Sequence, residues 1–315
     1  MTATLTDRPR TRRPLALRGR GAGSRPTKAK HAAYVPWLFL AVPLVLLIAF
    51  TAIPVANMIG YSFTDWDGVD PERSFVGLRN YELVATRPQL FQVFVVSGYY
   101  VLASFAQMAI ALYFATILSF KVRFRNVFKG ILFFPYLVNG VAIGFIFLFV
   151  FQPGGTLDRV VELFGGSGQH QWLGDPALVN WSLAGVSIWR YLGLNFVLFL
   201  GAIASIPDSL YEAAELDGAN RWQVFRYVIL PGIKPIVSLS FILAISGSLA
   251  VFEIPYIMTG GANGSKTFVI QTVDLAFKFN KVGLASACAV ILLLLILLVT
   301  WLQRRLVPDE RVDLT

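Results

Sequence analysis

The chain has 315 residues, of which 56% are hydrophobic and 14% charged, against roughly 25% charged in an ordinary soluble domain. Its net charge of +9 is almost wholly confined to the first 33 residues, where Arg8, Arg10, Arg12, Arg13, Arg18, Arg20, Arg25, Lys28 and Lys30 face the single acid Asp7. A soluble globule is excluded, and with the basic residues gathered at one end no nucleic-acid partner is expected.

Residues 1–33 are rich in Arg, Pro and Gly and lack the apolar residues to fold, so they read as a disordered cytoplasmic arm touching anionic membrane lipids. Six apolar blocks follow at 34–61, 93–120, 130–151, 178–205, 235–258 and 282–303, each long enough to cross a hydrocarbon core of about 30 Å. The fold class expected is all-α, a polytopic membrane protein with six transmembrane helices. The stretch 34–61 exceeds a signal-peptide core and is expected to stay as the first span. A loop at 62–92, a core at 93–305 and a tail at 306–315 complete the layout.

Orientation follows the Lys/Arg bias of short connections. The basic arm and the 121–129 loop, with Lys121, Arg123, Arg125 and Lys129 and no acid, read as cytoplasmic. The acidic loops 62–92 and 152–177 read as external, and both termini then fall in the cytoplasm. The 259–281 loop, with Lys266, Lys278 and Lys281, departs from the rule, yet alternation places it outside.

Cys288 lies in the last apolar block and is expected to be a packing residue. His31 and His170 fall on opposite sides of the membrane, so neither a Cys nor a His metal site is expected. Gly260 to Thr267 comes close to a phosphate-binding loop, but Ser265 stands where the second glycine is needed. Gly165-Gly166-Ser167-Gly168 is a Gly/Ser turn in an external loop, with no histidine in any span to act as base.

Ser205 to Gly218 is no ordinary connection. Ser205 can cap a helix with Asp208 at its third position, Pro207 suits the first turn, and Gly218 can supply the left-handed residue that ends it. The result is a short helix at 206–218 with Leu210, Ala213 and Ala214 on one face; the bland alternative is an interfacial connector. Glu212-Ala213-Ala214, Gly218 and Val228-Ile229-Leu230-Pro231 at these spacings resemble the EAA motif of ABC importer permeases, with Val228 alone departing from the usual pattern. The resemblance extends to Ile188-Trp189-Arg190 through Leu194, Leu210-Tyr211, Phe252-Glu253 and Thr259-Gly260-Gly261, and is most similar to the maltose-type, carbohydrate-uptake branch.

That resemblance implies a type I permease fold in the cell (inner) membrane that does no covalent chemistry. It implies that Glu212, Ala213, Ala214, Asp217 and Gly218, with Leu230 and Pro231 behind them, couple to a separate cytoplasmic ABC ATPase dimer, which carries the ATP and Mg. Pro231 would stop the following helix from extending into this one. The resemblance also implies a second homologous permease subunit and an external solute-binding protein, met by the loop of Gly260, Gly261 and Asn263. The cargo expected is a neutral di- or oligosaccharide.

Arg190 and Glu253 are the ionisable residues well inside the spans, where a central charge costs roughly 2.5–3.5 kcal/mol. Both fall in the outer half of the bilayer and could pair with each other or meet substrate. With Trp189, Gly193, Asn195, Phe196, Ser246, Ser248 and Tyr256 they form the mixture of aromatic faces, amides and hydroxyls that sugars require. A secondary transporter and an ABC permease for a polyol or glycerol phosphate remain as alternatives, the first without an account of the Glu212-to-Pro231 spacing.

Overall fold

The structure is a computed structural model that describes residues 35–120, 124–166 and 169–306. The arm expected at 1–33, Lys121, Arg123, Ser167, Gly168 and the tail beyond residue 306 lie outside the described residues. The described residues divide into two units at Ile53 and Pro54.

In the first unit, α1 (Val35–Leu47) runs into a π turn, Ile48–Ala52. Phe39, Val42, Val45 and Phe50 are all exposed, as suits a helix whose surroundings are lipid or another membrane helix.

The second unit begins within α2 (Ile53–Ser62) and continues through α3 (Arg79–Thr86), α4 (Pro88–Ser119), α5 (Arg125–Leu137), α6 (Gly140–Val150), α7 (Thr156–Leu163) and α8 (Val179–Ala204). It goes on through α9 (Asp208–Leu216), α10 (Arg221–Val224), a π turn at Phe225–Ile229, α11 (Leu230–Gly232), α12 (Lys234–Leu249) and α13 (Glu253–Thr259). It closes with α14 (Phe268–Val273), a π turn at Asp274–Lys278, and α15 (Val282–Leu306). Among the described residues the β structure is an isolated antiparallel bridge between Thr64 and Phe75.

Five helical stretches are long and apolar enough to cross a membrane: Phe39–Ser62, Pro88–Ser119, Val179–Ala204, Lys234–Thr259 and Val282–Arg305. The span expected at 130–151 is not a straight helix; α5 and α6 meet there at 98°. Pro135 falls in the last turn of α5, Val138 is extended, and the Asn139 side chain caps α6 by accepting from the Val141 N–H at 2.8 Å. Apolar residues flank this break on both sides, so hydropathy does not register it. The second span starts at Pro88 rather than 93, with proline in the first turn, where its missing N–H costs nothing.

The span expected at 235–258 is likewise interrupted between Leu249 and Glu253. Pro255 falls in the first turn of α13, where its missing N–H costs nothing, and the Val251 carbonyl, left outside both helices, accepts from the Thr267 hydroxyl at 2.9 Å. The segment 259–281, expected as a loop, contains α14 and a π turn.

Core packing falls into three clusters. One joins Met108, Ala111 and Ala115 of α4, Phe196, Phe199 and Leu200 of α8, and Ile206, Ile229 and Ile233. A second joins Val96 and Tyr100 of α4, Ile143 of α6, Leu183 and Val186 of α8, and Ile254 and Met258 of α13. The third packs α15 against α3 and the start of α4, and Cys288 is one of its packing residues.

Gly193 lets α5 reach α8: a Cβ there would stand 2.5 Å from Leu132 O and 2.8 Å from Phe133 Cα. Gly185, two turns earlier, has open space around it. Gly193→Leu is expected to lower the melting temperature of the purified protein clearly, at a cost of about 1–3 kcal/mol for overpacking; Gly185→Leu should shift it far less. Equal melting temperatures would show that α5 does not need this close approach.

Candidate functional site

Between the first two clusters, halfway along α4 and α8, lies a cavity of about 300 Å³. Three helices line it with stripes at helical spacing: Tyr100, Ser104 and Gln107 from α4, Ser187, Tyr191 and Asn195 from α8, and Ala244, Gly247, Ser248 and Val251 from α12 and its end. Every residue lining it is uncharged. The Ser248 hydroxyl donates to Ala244 O at 2.7 Å or to Tyr100 O at 3.1 Å. The Tyr100 hydroxyl is buried with no partner among the described residues, a state that in an apolar interior calls for a ligand or water.

Of the nine residues expected along a substrate path, Asn195 and Ser248 line this cavity. Phe196 does not: it is fully buried in the first cluster. Gly193 does not either, because its missing side chain serves the contact with α5. Adjacent residues on a helix point about 100° apart, which separates Asn195 from Phe196. Trp189 packs edge-on against Phe147 at 5.2 Å, Tyr256 stacks on Phe252 at 4.8 Å, and Ser246 is half-buried outside the cavity wall. The residues α4 adds, Tyr100, Ser104 and Gln107, were missed from sequence; their signal is a polar stripe at three- and four-residue spacing within an apolar span.

Arg190 and Glu253 do meet. Arg190 Nη1 donates to Glu253 Oε2 at 2.8 Å, with the Arg190 side chain 12% exposed and Glu253 52%. The guanidinium also lies 5.0 Å over the ring of Tyr191. Glu253 opens α13, where a carboxylate favours the helix N-terminus. Gly140 lies against the pair, and a Cβ there would overlap both the carboxylate and the guanidinium. One turn on, Gly144 meets Ile257, so α6 presents a small-xxx-small face to α13. The ion pair thus ties α8 to α13 and lies against the start of α6, the second halves of the two broken helices.

At the other end of the unit, α9 stands exposed, with Leu210 51% and Leu216 90% accessible. Its start differs from expectation. Ser205 closes α8, its hydroxyl donating to Ala202 O at 2.7 Å, and Pro207 occupies the cap position without a side-chain bond. Glu212, Ala213 and Ala214 lie in α9, and Asp217 is its C-cap. Gly218 has φ +69°, and the N–H of Ala219 donates to Ala214 O at 2.9 Å, so glycine serves the left-handed closure. Asn220 and Gln223 then form a capping box that starts α10.

The long helix α12 starts at Lys234, beyond Pro231, and Pro231 itself is helical. It lies within α11 beside Leu230, directly after the π turn Phe225–Ile229, whose wider winding accommodates the missing N–H. Ile206, Ile229 and Ile233 are buried, with Tyr211, Val224 and Phe225 packed on them, and so anchor α9 and α10 to α4 and α8.

The turn of Gly260, Gly261 and Asn263 belongs to the opposite end. Gly260, Gly261, Asn263 and Gly264 all have positive φ. Asn263 Nδ2 donates to Leu173 O at 2.8 Å and Asn180 Nδ2 to Gly264 O at 3.2 Å, pinning the turn to the start of α8. Beside it Asp274 is buried; burial pushes its carboxyl up, but Lys266 at 2.7 Å and Lys278 at 2.6 Å outweigh this and hold it below the usual range. Two of the three lysines that broke the charge bias therefore neutralise one buried acid. Asp158 is fully buried; burial alone would push it up, yet bonds from Gly154, Trp172 and His170 hold it low. No group of three or more His, Cys, Asp or Glu residues able to hold a metal occurs among the described residues.

The family model "binding-protein-dependent transport system inner membrane component" matches residues 107–312. The probable ABC transporter permease protein YurN of Bacillus subtilis is 31% identical over 278 residues, covering 86% of this chain and 95% of the relative. The multiple sugar-binding transport system permease protein MsmF of Streptococcus mutans is 31% identical, covering 87% and 95%. AmyD of Thermoanaerobacterium thermosulfurigenes, a probable permease for starch degradation products, is 30% identical, covering 88% and 95%. Among solved structures, a bacterial ABC transporter that imports the acidic polysaccharide alginate shares the fold, with TM-score 0.74 at 19% identity over 86% of this chain and 96% of that one. The chain belongs to the binding-protein-dependent transport system inner membrane component family, and is a multi-pass membrane permease of ABC importer type.

Removing Glu253 alone leaves the guanidinium of Arg190, whose side chain is 12% exposed, without its counter-charge, whereas removing both leaves none to compensate. Glu253→Ala is therefore expected to lower the melting temperature of the purified permease more than Arg190→Met combined with Glu253→Ala. If the single change proves the milder, the pair does not hold α8 to α13.

Proposed function

We propose that this permease carries a neutral di- or oligosaccharide through the cavity between α4, α8 and α12, as one of two homologous permease subunits. The observation that supports the sugar most directly is the cavity itself: hydroxyls and amides from Ser104, Gln107, Ser187 and Asn195, the aromatic ring of Tyr191, the unpartnered Tyr100 hydroxyl, and no charge in its wall. Sugars stack their C–H faces on rings and exchange hydrogen bonds with neutral groups. A phosphorylated or carboxylated cargo would want cationic donors there. The relatives named for starch degradation products and multiple sugars agree with this reading.

The chain has the parts to receive force rather than to make it. In this reading α9 and the Gly218 turn face the cytoplasm and seat in a separate ABC ATPase dimer, which binds ATP and Mg. Glu212, Ala213, Ala214 and Asp217 form the coupling surface, while Leu230 and Pro231 belong to the return path. The turn of Gly260, Gly261 and Asn263 then faces an external solute-binding protein, with Asn263 Nδ2 committed to holding the turn and the exposed backbone left to meet the partner.

The capped helix supports this assignment because it is short, solvent-facing and rooted in the same apolar cluster that floors the cavity. A displacement of α9 can thus reach α4 and α8 as a rigid-body movement. The exposed apolar first span suits contact with the second permease or with lipid.

Two substitutions separate coupling from cargo selection. Gly218→Leu requires a side chain at φ +69° and should abolish ATP-driven sugar uptake in reconstituted vesicles while the protein still inserts. Asn195→Leu should instead lower uptake about tenfold or more and leave stimulated ATP hydrolysis measurable, since a buried hydrogen bond to substrate is worth 1–3 kcal/mol. Normal uptake by Gly218→Leu would remove the coupling role, and normal uptake by Asn195→Leu would remove the cavity from the path.

A further inference from the structure

A second concavity serves neither the cargo path nor the coupling surface. It is a groove of about 520 Å³ on the flank of α4, where α10 and the following π turn cross it, walled by Tyr113, Thr116, Phe120, Arg221, Trp222 and Phe225 among others. Its walls are mainly apolar and its mouth is aromatic: Trp222 is 68% exposed and Tyr113 62%. Two polar features interrupt it. The Arg221 guanidinium lies 5.5 Å over the Phe120 ring and has no carboxylate partner among the described residues. The Thr116 hydroxyl is buried with no partner among them either.

An apolar trough ending in a cation and an indole has the profile of an amphiphile with an anionic head. Trp and Tyr favour the headgroup level of a bilayer, and an arginine beside the surface attracts anionic lipid. A dry groove open to hydrocarbon gains contact when an acyl chain fills it. A flat apolar patch would suit a protein helix equally well, but an unpaired arginine at the mouth would then have to be matched by an acid or left desolvated.

We propose that this groove holds one anionic phospholipid, its acyl chain along Tyr113, Thr116 and Phe225 and its phosphate on Arg221. The proposal rests on the reading above in one respect, that the α9–α10 end meets the cytoplasmic leaflet. Because Arg221 and Trp222 follow the Gly218 turn directly, a bound lipid braces the return strand of the coupling element against α4.

The assembled transporter, reconstituted in nanodiscs of phosphatidylcholine mixed with phosphatidylglycerol, is released into native mass spectrometry and its retained lipids are counted. Phosphatidylglycerol is expected to be retained in preference to phosphatidylcholine. Arg221→Gln should cut that retention roughly fivefold, the worth of one basic side chain near an anionic surface, while Arg226→Gln, whose side chain lies over Tyr227, should leave it unchanged. If Arg221→Gln does not assemble, Trp222→Ala is read in the same assay and should also lose the lipid. Equal retention by wild type, Arg221→Gln and Trp222→Ala overturns the site, as does a cross-link from position 222 that captures the second permease in place of lipid. Sugar uptake by the same samples is a separate readout: uptake without selective lipid retention sinks this site alone, whereas selective retention in a complex that neither hydrolyses ATP nor moves sugar sinks the proposed function alone.

Discussion

A backbone carbonyl stranded between two helices shapes the α6–α13 end of this permease. In hydrocarbon an unpaired backbone group costs several kcal/mol, so a span can break only where another group closes the gap. Thr267 closes it at Val251, and the Asn139 cap closes the corresponding break at the head of α6. The two breaks face each other across the α6–α13 contact, where Gly140 and Gly144 allow close packing and the Arg190–Glu253 pair sits over Gly140. Interrupted helices, small residues and an ion pair are therefore parts of one solution: irregular backbone is tolerated because neighbours supply what the helix lost.

That solution determines where space can exist. Along α4 and α8 the apolar residues gather into two clusters, one toward α6 and α13, the other toward α9 and the Phe225–Ile229 turn. Between them the same helix faces carry Ser104, Gln107, Ser187 and Asn195, too polar and too short to fill the gap. The cavity is thus the interval between two cores. Any rotation of α4 against α8 must change its shape, because both clusters grip the same two helices.

Much of this was legible in the sequence, for reasons that differ by residue. Glu212 to Pro231 could be read because a short exposed helix, its glycine closure and the returning segment are local features with fixed spacing. Six apolar stretches were legible because hydropathy sums over about 20 residues. The same summing hid the bend at Val138 and Asn139 and the interruption before Glu253, which depend on single carbonyls and on Thr267, far along the chain. Ser205 was given a cap that the structure assigns to its own helix end, since a hydroxyl at a boundary serves either side equally in sequence. Phe196 and Gly193 were grouped with Asn195 by neighbourhood, whereas helical phase turns them toward a core and toward α5. Tyr100 and Gln107 escaped notice because a polar stripe within an apolar span is a faint signal until the neighbouring helices show that its face lines a cavity.

The placement of charge separates what moves from what is moved. Between α8 and α13 two ionisable side chains neutralise each other at 2.8 Å, and in a second cluster, beside the turn at Gly260, Lys266 and Lys278 cancel the charge of Asp274 with one positive charge left over. Neither group lines the cavity, whose wall is uncharged, so an uncharged ligand there would meet no charged side chain to hold it. Arg221, at the start of α10, has no carboxylate partner among the described residues. An uncharged cavity wall and a cation left open beside α10 follow one rule: charge is cancelled where the dielectric is low and left open where headgroups or water can answer it.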